Sequence, residues 1–259
     1  MELAAQADMS HVALTDHDTL GGVDRAGRSA EDLGIGFIPG VELSVDHDRT
    51  KIHMLVYFLE PDHGPLQSRL LALRDGRDAR NSQIVEKLNR LGYEITLDDV
   101  HQHAKGPSVG RPHIADVLVH KGYIASRDEG FADLLRDGGA AYVERTRLSA
   151  ADAIVLSRES GAVPVIAHPT TMGLTRDGFA ATFRALTDMG LGGIEAHHPM
   201  HDLELRIHIT ELAAKLGIAA TGGSDYHGAT KRSYRVGVGN GDLRVPESAV
   251  DQLHAQRDR

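Results

Sequence analysis

Short apolar runs that break off into polar clusters alternate, over much of this chain, with stretches whose apolar residues recur at helical spacing. That alternation is the mark of strands each followed by a helix, and it predicts an α/β fold with a largely parallel sheet. The runs predict strands at His11 to Leu14, Gly36 to Ile38, Ile52 to Phe58, Val163 to Ala167, Gly192 to Ala196 and Ile218 to Thr221. Leu205, Ile209, Leu212, Ala213 and Leu216 share one helical face, and Gly217 is the expected stop. Ser149, with Asp152 three residues on, has the form of a capping box that opens a helix ending at Gly161.

The rhythm breaks between about Pro65 and Leu148, where helical patterns dominate and strand-like runs are almost missing. Leu66, Leu70 and Leu73 form one apolar stripe, and Ile84, Leu88 and Leu91 form another that Gly92 closes. This pattern predicts a helical insertion at 65–148 in an α/β core made of 1–64 and 149–259. No internal repeat or low-complexity segment is visible in the sequence.

Composition narrows the function classes. The chain has 259 residues, 41% hydrophobic and 25% charged, which suits an ordinary globular protein with a substantial core. A formal net charge of -9 without a basic block gives no face for duplex DNA. The longest apolar runs, such as Met54 to Leu59, are strand-sized and too short to span a membrane. The first residues lack the basic flank and apolar stretch of a secretory signal, so the expected compartment is the cytoplasm. With no cysteine there is no thiolate ligand, and the unusual item is sixteen histidines.

Several of those histidines, with acids, stand where apolar strands run out, which is where parallel sheets build their sites. Ala13-Leu14-Thr15 leads into Asp16, His17 and Asp18; Asp18 or Thr19 reads as the cap of the next helix, and His17 as a ligand. Glu42 follows the Ile38-Pro39-Gly40-Val41 segment, and His53 lies at the edge of the next apolar strand. Taken alone, Glu42 reads as an exposed loop acid and His53 as a structural histidine. Val165-Ile166-Ala167 delivers His168, and Ala220-Thr221-Gly222-Gly223-Ser224 delivers Asp225 and His227. Those last two grip one site if the segment is extended, or Asp225 bonds its own backbone if it is a turn. Four or five strand ends with the same grammar are improbable by accident. Imidazole and carboxylate without thiolate suit Mn²⁺, Fe²⁺ or Zn²⁺ and can bridge neighbouring ions. Two such ions about 3.5–4 Å apart acidify water and clamp phosphoryl oxygens, so hydrolysis of a phosphate ester is the natural use.

These motifs, Thr15-Asp16-His17-Asp18-Thr19, Gly40-Val41-Glu42, the His53 strand, Ala167-His168-Pro169 and Gly223-Ser224-Asp225-Tyr226-His227, resemble the successive motifs of the PHP (polymerase and histidinol phosphatase) family. The order matches, over nearly the whole chain. Gly110-Arg111-Pro112-His113-Ile114-Ala115 and Tyr142-Val143 resemble the insertion of its nucleotide-phosphatase branch, which includes 3′,5′-nucleoside bisphosphate phosphatases and a 5′ to 3′ exoribonuclease. The resemblance implies a distorted (β/α)₇ barrel with two or three divalent metal ions, Mn, Zn or Fe. It implies that Glu42 bridges two ions, His53 and His168 complete one site, Asp225 binds the other, and His17 with His227 serves a third. Asp16 orients ligands instead of binding metal. One departure stands out: the family opens with a His-x-His strand, and nothing like it precedes Met1. The barrel is therefore expected to be N-terminally truncated by roughly two dozen residues at typical element lengths, leaving only the Glu42, His53, His168 site with its full protein ligand set. Either Met1 is an internal methionine, the favoured expectation, or the chain is a truncated product.

Further candidates complete the site. Arg111 and Arg145 are the phosphate-binding candidates, because guanidinium forks match phosphate oxygens; the alternative for each is a solvated arginine. His113 either hydrogen-bonds a phosphoryl oxygen or protonates the leaving group, or is a helix-surface histidine. Of His197, His198 and His201, which follow the Gly192 to Ala196 strand, one is expected to line the pocket, with His198 the candidate and the others on the surface. His47, His63, His101, His103, His120, His208 and His254 are expected to be bystanders. The function expected is hydrolysis of a phosphomonoester of a small phosphorylated substrate, a nucleotide such as a 3′,5′-nucleoside bisphosphate, by metal-activated hydroxide. Trimming of short RNA is the second enzymatic reading, and a metal- or nucleotide-binding module without turnover is the third.

Overall fold

The computed structural model describes residues 1–48, 50–62, 64–104, 109–228 and 234–259; His63 lies outside them. Seven strands form one curled, mixed sheet: β1 (His11–Leu14), β2 (Gly36–His47), β3 (Thr50–Tyr57), β4 (Leu148–Ser149), β5 (Val163–Ile166), β6 (Gly193–His197) and β7 (Ala219–Gly222). Their order is β1-β2-β3-β5-β6-β7, with β4 paired to β2. The β1/β2, β2/β4, β5/β6 and β6/β7 pairs are parallel, whereas β3 runs antiparallel to both its neighbours. The result is a half-barrel form of the distorted α/β barrel. The helices are α1 (Glu2–Gln6), α2 (Val23–Asp32), α3 (Pro65–Arg90), α4 (Leu97–His103), α5 (Arg111–His120), α6 (Arg127–Asp133), α7 (Ala150–Glu159), α8 (Arg176–Asp188), α9 (Leu203–Leu216) and α10 (Ser248–Arg257).

Two compact units result, Met1–Gln67 with Leu148–Arg259, and Ser68–Arg147. In the first, all four residues of β5 are buried, the run of apolar side chains that a strand covered on both faces requires. Ile38, Leu55, Val163, Val165 and Ala219 pack there with Leu253 of α10. Each large apolar side chain buried this way contributes about 1.5–3 kcal/mol. Ser149 caps α7 by accepting the Asp152 backbone N–H, as the sequence pattern predicts. In the second unit Ile84 and Leu88 of α3 join Val100, Ile114, Leu118 and Leu135 in a separate core. The two leucine stripes read from the sequence belong to the single helix α3, and Leu91 ends up exposed beyond it. No helix among the described residues is long and apolar enough to cross a membrane.

Gly40 marks where the end of β1 and strand β3 close in on β2. A Cβ there would sit 2.7 Å from the Val56 carbonyl oxygen and 3.1 Å from Thr15 Cγ2. Gly40→Ala is expected to cost about 1–3 kcal/mol through overpacking, seen as a fall of several degrees in Tm. Gly76→Ala, in α3 with open space around its Cβ position, should instead be neutral or stabilise by roughly 0.5–1 kcal/mol. Equal melting temperatures for the two variants would refute this account of Gly40.

Candidate metal centre

Strand register brings the first ligands together. Ser44 on β2 stands opposite His53 on β3, and Glu42 lies two residues from Ser44, so Glu42 and His53 are diagonal neighbours on one face. An isolated parallel bridge between His17 and Glu42 carries the β1/β2 pairing past the end of β1. It is fixed by Glu42 N–H donating to the Asp16 carbonyl at 3.1 Å and Asp18 N–H donating to the Glu42 carbonyl at 2.9 Å. His168 arrives from the end of β5, where Ala167 N–H donates to the His53 carbonyl.

Glu42 is the hub. Its Oε1 lies 2.8 Å from His53 Nδ1 and 3.2 Å from His168 Nε2, and those two nitrogens are 3.2 Å apart. Its other oxygen, Oε2, lies 3.5 Å from His17 Nδ1. His17, Glu42 and His53 each offer a ligand atom within 4.8 Å of the others. Burial alone would raise the Glu42 pKa, but hydrogen bonds from His168 and His53 and the nearby His17 and His53 rings outweigh it and hold the carboxyl far below the usual range. Burial lowers His168, yet its hydrogen bond to Glu42 and the charges of Glu195, Glu42 and Asp225 leave it raised. His17 is lowered by burial, with Glu42 opposing.

The tautomer of His168 follows from its neighbours. Thr171 Oγ1 donates its one hydrogen to the His168 carbonyl at 3.1 Å, so it must accept from His168 Nδ1, 3.2 Å away. Nδ1 then carries a proton, and Nε2, whose own proton bonds Glu42 when the ring is charged, is the nitrogen whose lone pair a cation would take. Two imidazole nitrogens and a carboxylate oxygen converging within hydrogen-bond distance, with no sulfur in the set, fit a divalent cation of nitrogen and oxygen preference.

A second group stands beside this one. Asp225 Oδ2 is 3.8 Å from His198 Nε2, and Asp225 Oδ1 is 3.5 Å from His227 Nδ1. The His227 and His17 rings are 5.7 Å apart, and the His198 and His168 rings 5.6 Å. His198 is fully buried, and its Nδ1 accepts the Met200 backbone N–H at 3.1 Å. Its proton is therefore on Nε2, which makes His198 a donor and not a ligand through that atom. Asp16 is raised by burial, against the charges of His17 and His227.

The expectation for Asp18 needs correction. Asp18 does not cap the next helix: Gly22 is the N-cap of α2 without a side-chain bond, while Asp18 reaches across to accept Ser44 N–H at 3.0 Å and Ser44 Oγ at 3.3 Å. A positive φ of 53° turns Asp18 away from the helix and onto β2. Of the two readings left open for Asp225 and His227, the turn holds: Asp225 has φ 50° and its carbonyl accepts from His227 Nδ1 at 2.8 Å. His208, with Pro169, Thr170, Leu174, Phe179 and Leu205, lines a cavity of about 440 Å³ next to the His168 turn.

The insertion candidates are placed within their own unit. Arg111 Nη1 donates to the Leu135 carbonyl at 2.7 Å and pairs with Asp137 at 2.9 Å, and its guanidinium lies over the Tyr142 ring. Burial and then the cations Arg111, Arg145 and Arg147 push the Arg80 guanidinium down to about 10, so four arginines crowd one region. His113 Nδ1 accepts Gly110 N–H at the start of α5, which leaves Nε2 as a donor.

The sequence reading overlooked Glu195. It is a carboxylate in the middle of β6, 5% exposed, and burial pushes it up to about 7 against the charge of His198 and the His168 N–H it accepts. One acid inside the otherwise apolar Gly193-Ile194-Glu195-Ala196 run was the available signal.

No family model matches the chain. It is 30% identical over 253 residues to a phosphoribosyl 1,2-cyclic phosphate 1,2-diphosphodiesterase of Eggerthella lenta, covering 95% of this chain and 92% of the relative. It is also 30% identical over 228 residues to a 3′,5′-nucleoside bisphosphate phosphatase of Chromobacterium violaceum, covering 88% and 80%. Among solved structures, one from Bifidobacterium adolescentis assigned as a metal-dependent phosphoesterase superposes with a TM-score of 0.81 at 28% identity, covering 98% of this chain and 88% of that one.

Proposed function

Because the chain belongs to the PHP family and is a metal-dependent phosphoesterase, we propose that it hydrolyses a phosphomonoester of a nucleotide, such as a 3′,5′-nucleoside bisphosphate. The observation that carries this reading is the division of Glu42: one carboxylate oxygen faces His53 and His168 and the other faces His17. Glu42 would hold one cation with His53 and His168, and a second would draw on its other oxygen and His17. Asp225 and His227 extend the set towards a second or third ion, of Mn, Zn or Fe. When bound, such ions supply an acidified water and offset charge on the phosphoryl oxygens.

The chain's own groups do the rest. Asp16 steadies the β1 end through its backbone bond with Glu42 and lies close enough to His17 and His227 to bias their orientation. His198, the proposed pocket-lining histidine, turns its Nε2 proton towards Asp225 Oδ2 at 3.8 Å and acts on the site through that carboxylate. Arg111 and Arg145 are the proposed phosphate-binding cations and His113 a further donor, supported by the crowding of guanidinium groups around Arg80. A second reading is favoured by the longer match to the cyclic phosphodiesterase: a cyclic phosphodiester of ribose as substrate. The test is phosphate or ester release by the full chain with added Mn²⁺ or Zn²⁺ from three substrates: a 3′,5′-nucleoside bisphosphate, phosphoribosyl 1,2-cyclic phosphate and a short oligoribonucleotide. Fastest turnover of the bisphosphate, abolished by chelator, is expected. Preference for either other substrate would overturn the monoester assignment, and turnover of none would overturn hydrolysis altogether.

A further inference from the structure

His168 occupies an unfavourable backbone conformation. Its φ is 25° and ψ 63°, in the left-handed region that side chains with a Cβ avoid. Pro169 follows, and a proline ring ordinarily drives the preceding residue to extended angles. Non-glycine residues at positive φ persist where their surroundings over-determine them, commonly at functional sites. Here two contacts hold the turn. On one side Thr171 takes the carbonyl through its N–H and its hydroxyl, both at 3.1 Å. On the other, Glu195 Oε2 accepts the His168 N–H at 2.6 Å.

Glu195 is in no position to be replaced by solvent. It is buried on β6, opposite Thr221 in the β6/β7 register, and Gly223 closes over its other oxygen, with a would-be Cβ only 3.4 Å from Oε1. A hydrogen bond from a backbone N–H to a buried side-chain oxygen matters mainly through the cost of losing it. Without that acceptor the N–H would be buried and unsatisfied, and the residue could relax towards an ordinary φ. The imidazole would turn with the backbone, and Nε2 would leave its position 3.2 Å from both Glu42 Oε1 and His53 Nδ1.

We propose that Glu195 is a positioning residue of the metal centre: its carboxylate locks the strained His168 backbone so that Nε2 faces the cation shared with Glu42 and His53. The inference rests on the metal-centre reading of the proposed function. It differs from a role in which Glu195 merely adds negative charge near the cations. Two conservative variants separate the roles. Glu195→Gln keeps an acceptor oxygen at the same reach and removes the charge. Glu195→Asp keeps the charge and withdraws the oxygen by one methylene.

The experiment titrates the full-length parent, E195Q, E195D and E195A with Co²⁺, following visible absorption and binding heat, with far-UV circular dichroism as the check on folding. E195Q is expected to bind within about threefold of the parent and to give the parent's spectrum. E195D and E195A are expected to bind roughly 10–100-fold more weakly, the usual effect of removing a group that orients a ligand, with an altered spectrum. If E195A does not fold, the Gln and Asp pair decides. Parent-like binding by E195D, or a loss in E195Q equal to that in E195D, would overturn the positioning role alone. A parent chain that takes up no cobalt would overturn the metal centre and this role with it.

Discussion

Exchanging Glu42 for glutamine is expected to lower turnover by about three orders of magnitude or more, because the metal's share of transition-state stabilisation is several kcal/mol and each 1.36 kcal/mol is tenfold. The substitution preserves size and one oxygen but puts an amide NH₂ where a cation would lie. Glu42 is buried, and three imidazoles face it at 2.8, 3.2 and 3.5 Å. Either orientation of the amide therefore sets its donor against one of those groups. Metal analysis of E42Q should show fewer ions than the parent, with circular dichroism unchanged. Full activity in a folded E42Q would remove the central premise, since no other carboxylate among the described residues touches His17, His53 and His168 together.

Part of this centre was readable in the sequence because His17 and His168 obey a local rule, an apolar strand followed by an imidazole, whereas Glu42 and His53 lie inside β2 and β3. His17, Glu42, His53 and His168 all meet around one carboxylate, although up to 126 residues separate Glu42 from His168. Most strands were legible from apolar runs, but β4 and the second half of β2 were not, nor were the strand directions. Periodicity gives the faces of β3 and says nothing of its antiparallel partners. What stayed hidden depends on contacts between distant segments. Asp18 clamps Ser44 across 26 residues, which no local capping pattern reveals. Glu195 acts through the backbone of a residue 27 positions away, and an acid inside an apolar strand reads only as a break in the pattern. The insertion arginines show the opposite limit. Their residue type suggested phosphate, while the bonds of Arg111 to Asp137 and Leu135 show that part of their role is to build the insertion itself.

His168→Ala and His17→Ala are expected to remove different ions. The argument starts from Glu42, whose Oε1 is within 3.2 Å of both His53 and His168, while its Oε2 looks to His17 at 3.5 Å. A cation at the first position draws on three side chains of the described structure, two of them fixed by strand pairing and one by the Thr171 and Glu195 bonds. On the His17 side the nearest ring outside the first group is that of His227, 5.7 Å away, and His17 itself is more exposed than His168. The tighter ion should therefore be the one that depends on His168. In a competition with a chelator of graded strength, the parent should lose its ions in at least two steps. H17A should keep the step that resists chelator longest, and H168A should lose that step while retaining a weaker one. Both should lose roughly 100-fold or more in turnover, since either loss removes several kcal/mol of charge stabilisation. Identical stripping curves for the two variants would mean that Glu42 serves a single ion, and the division of its carboxylate between two sites would have to be given up.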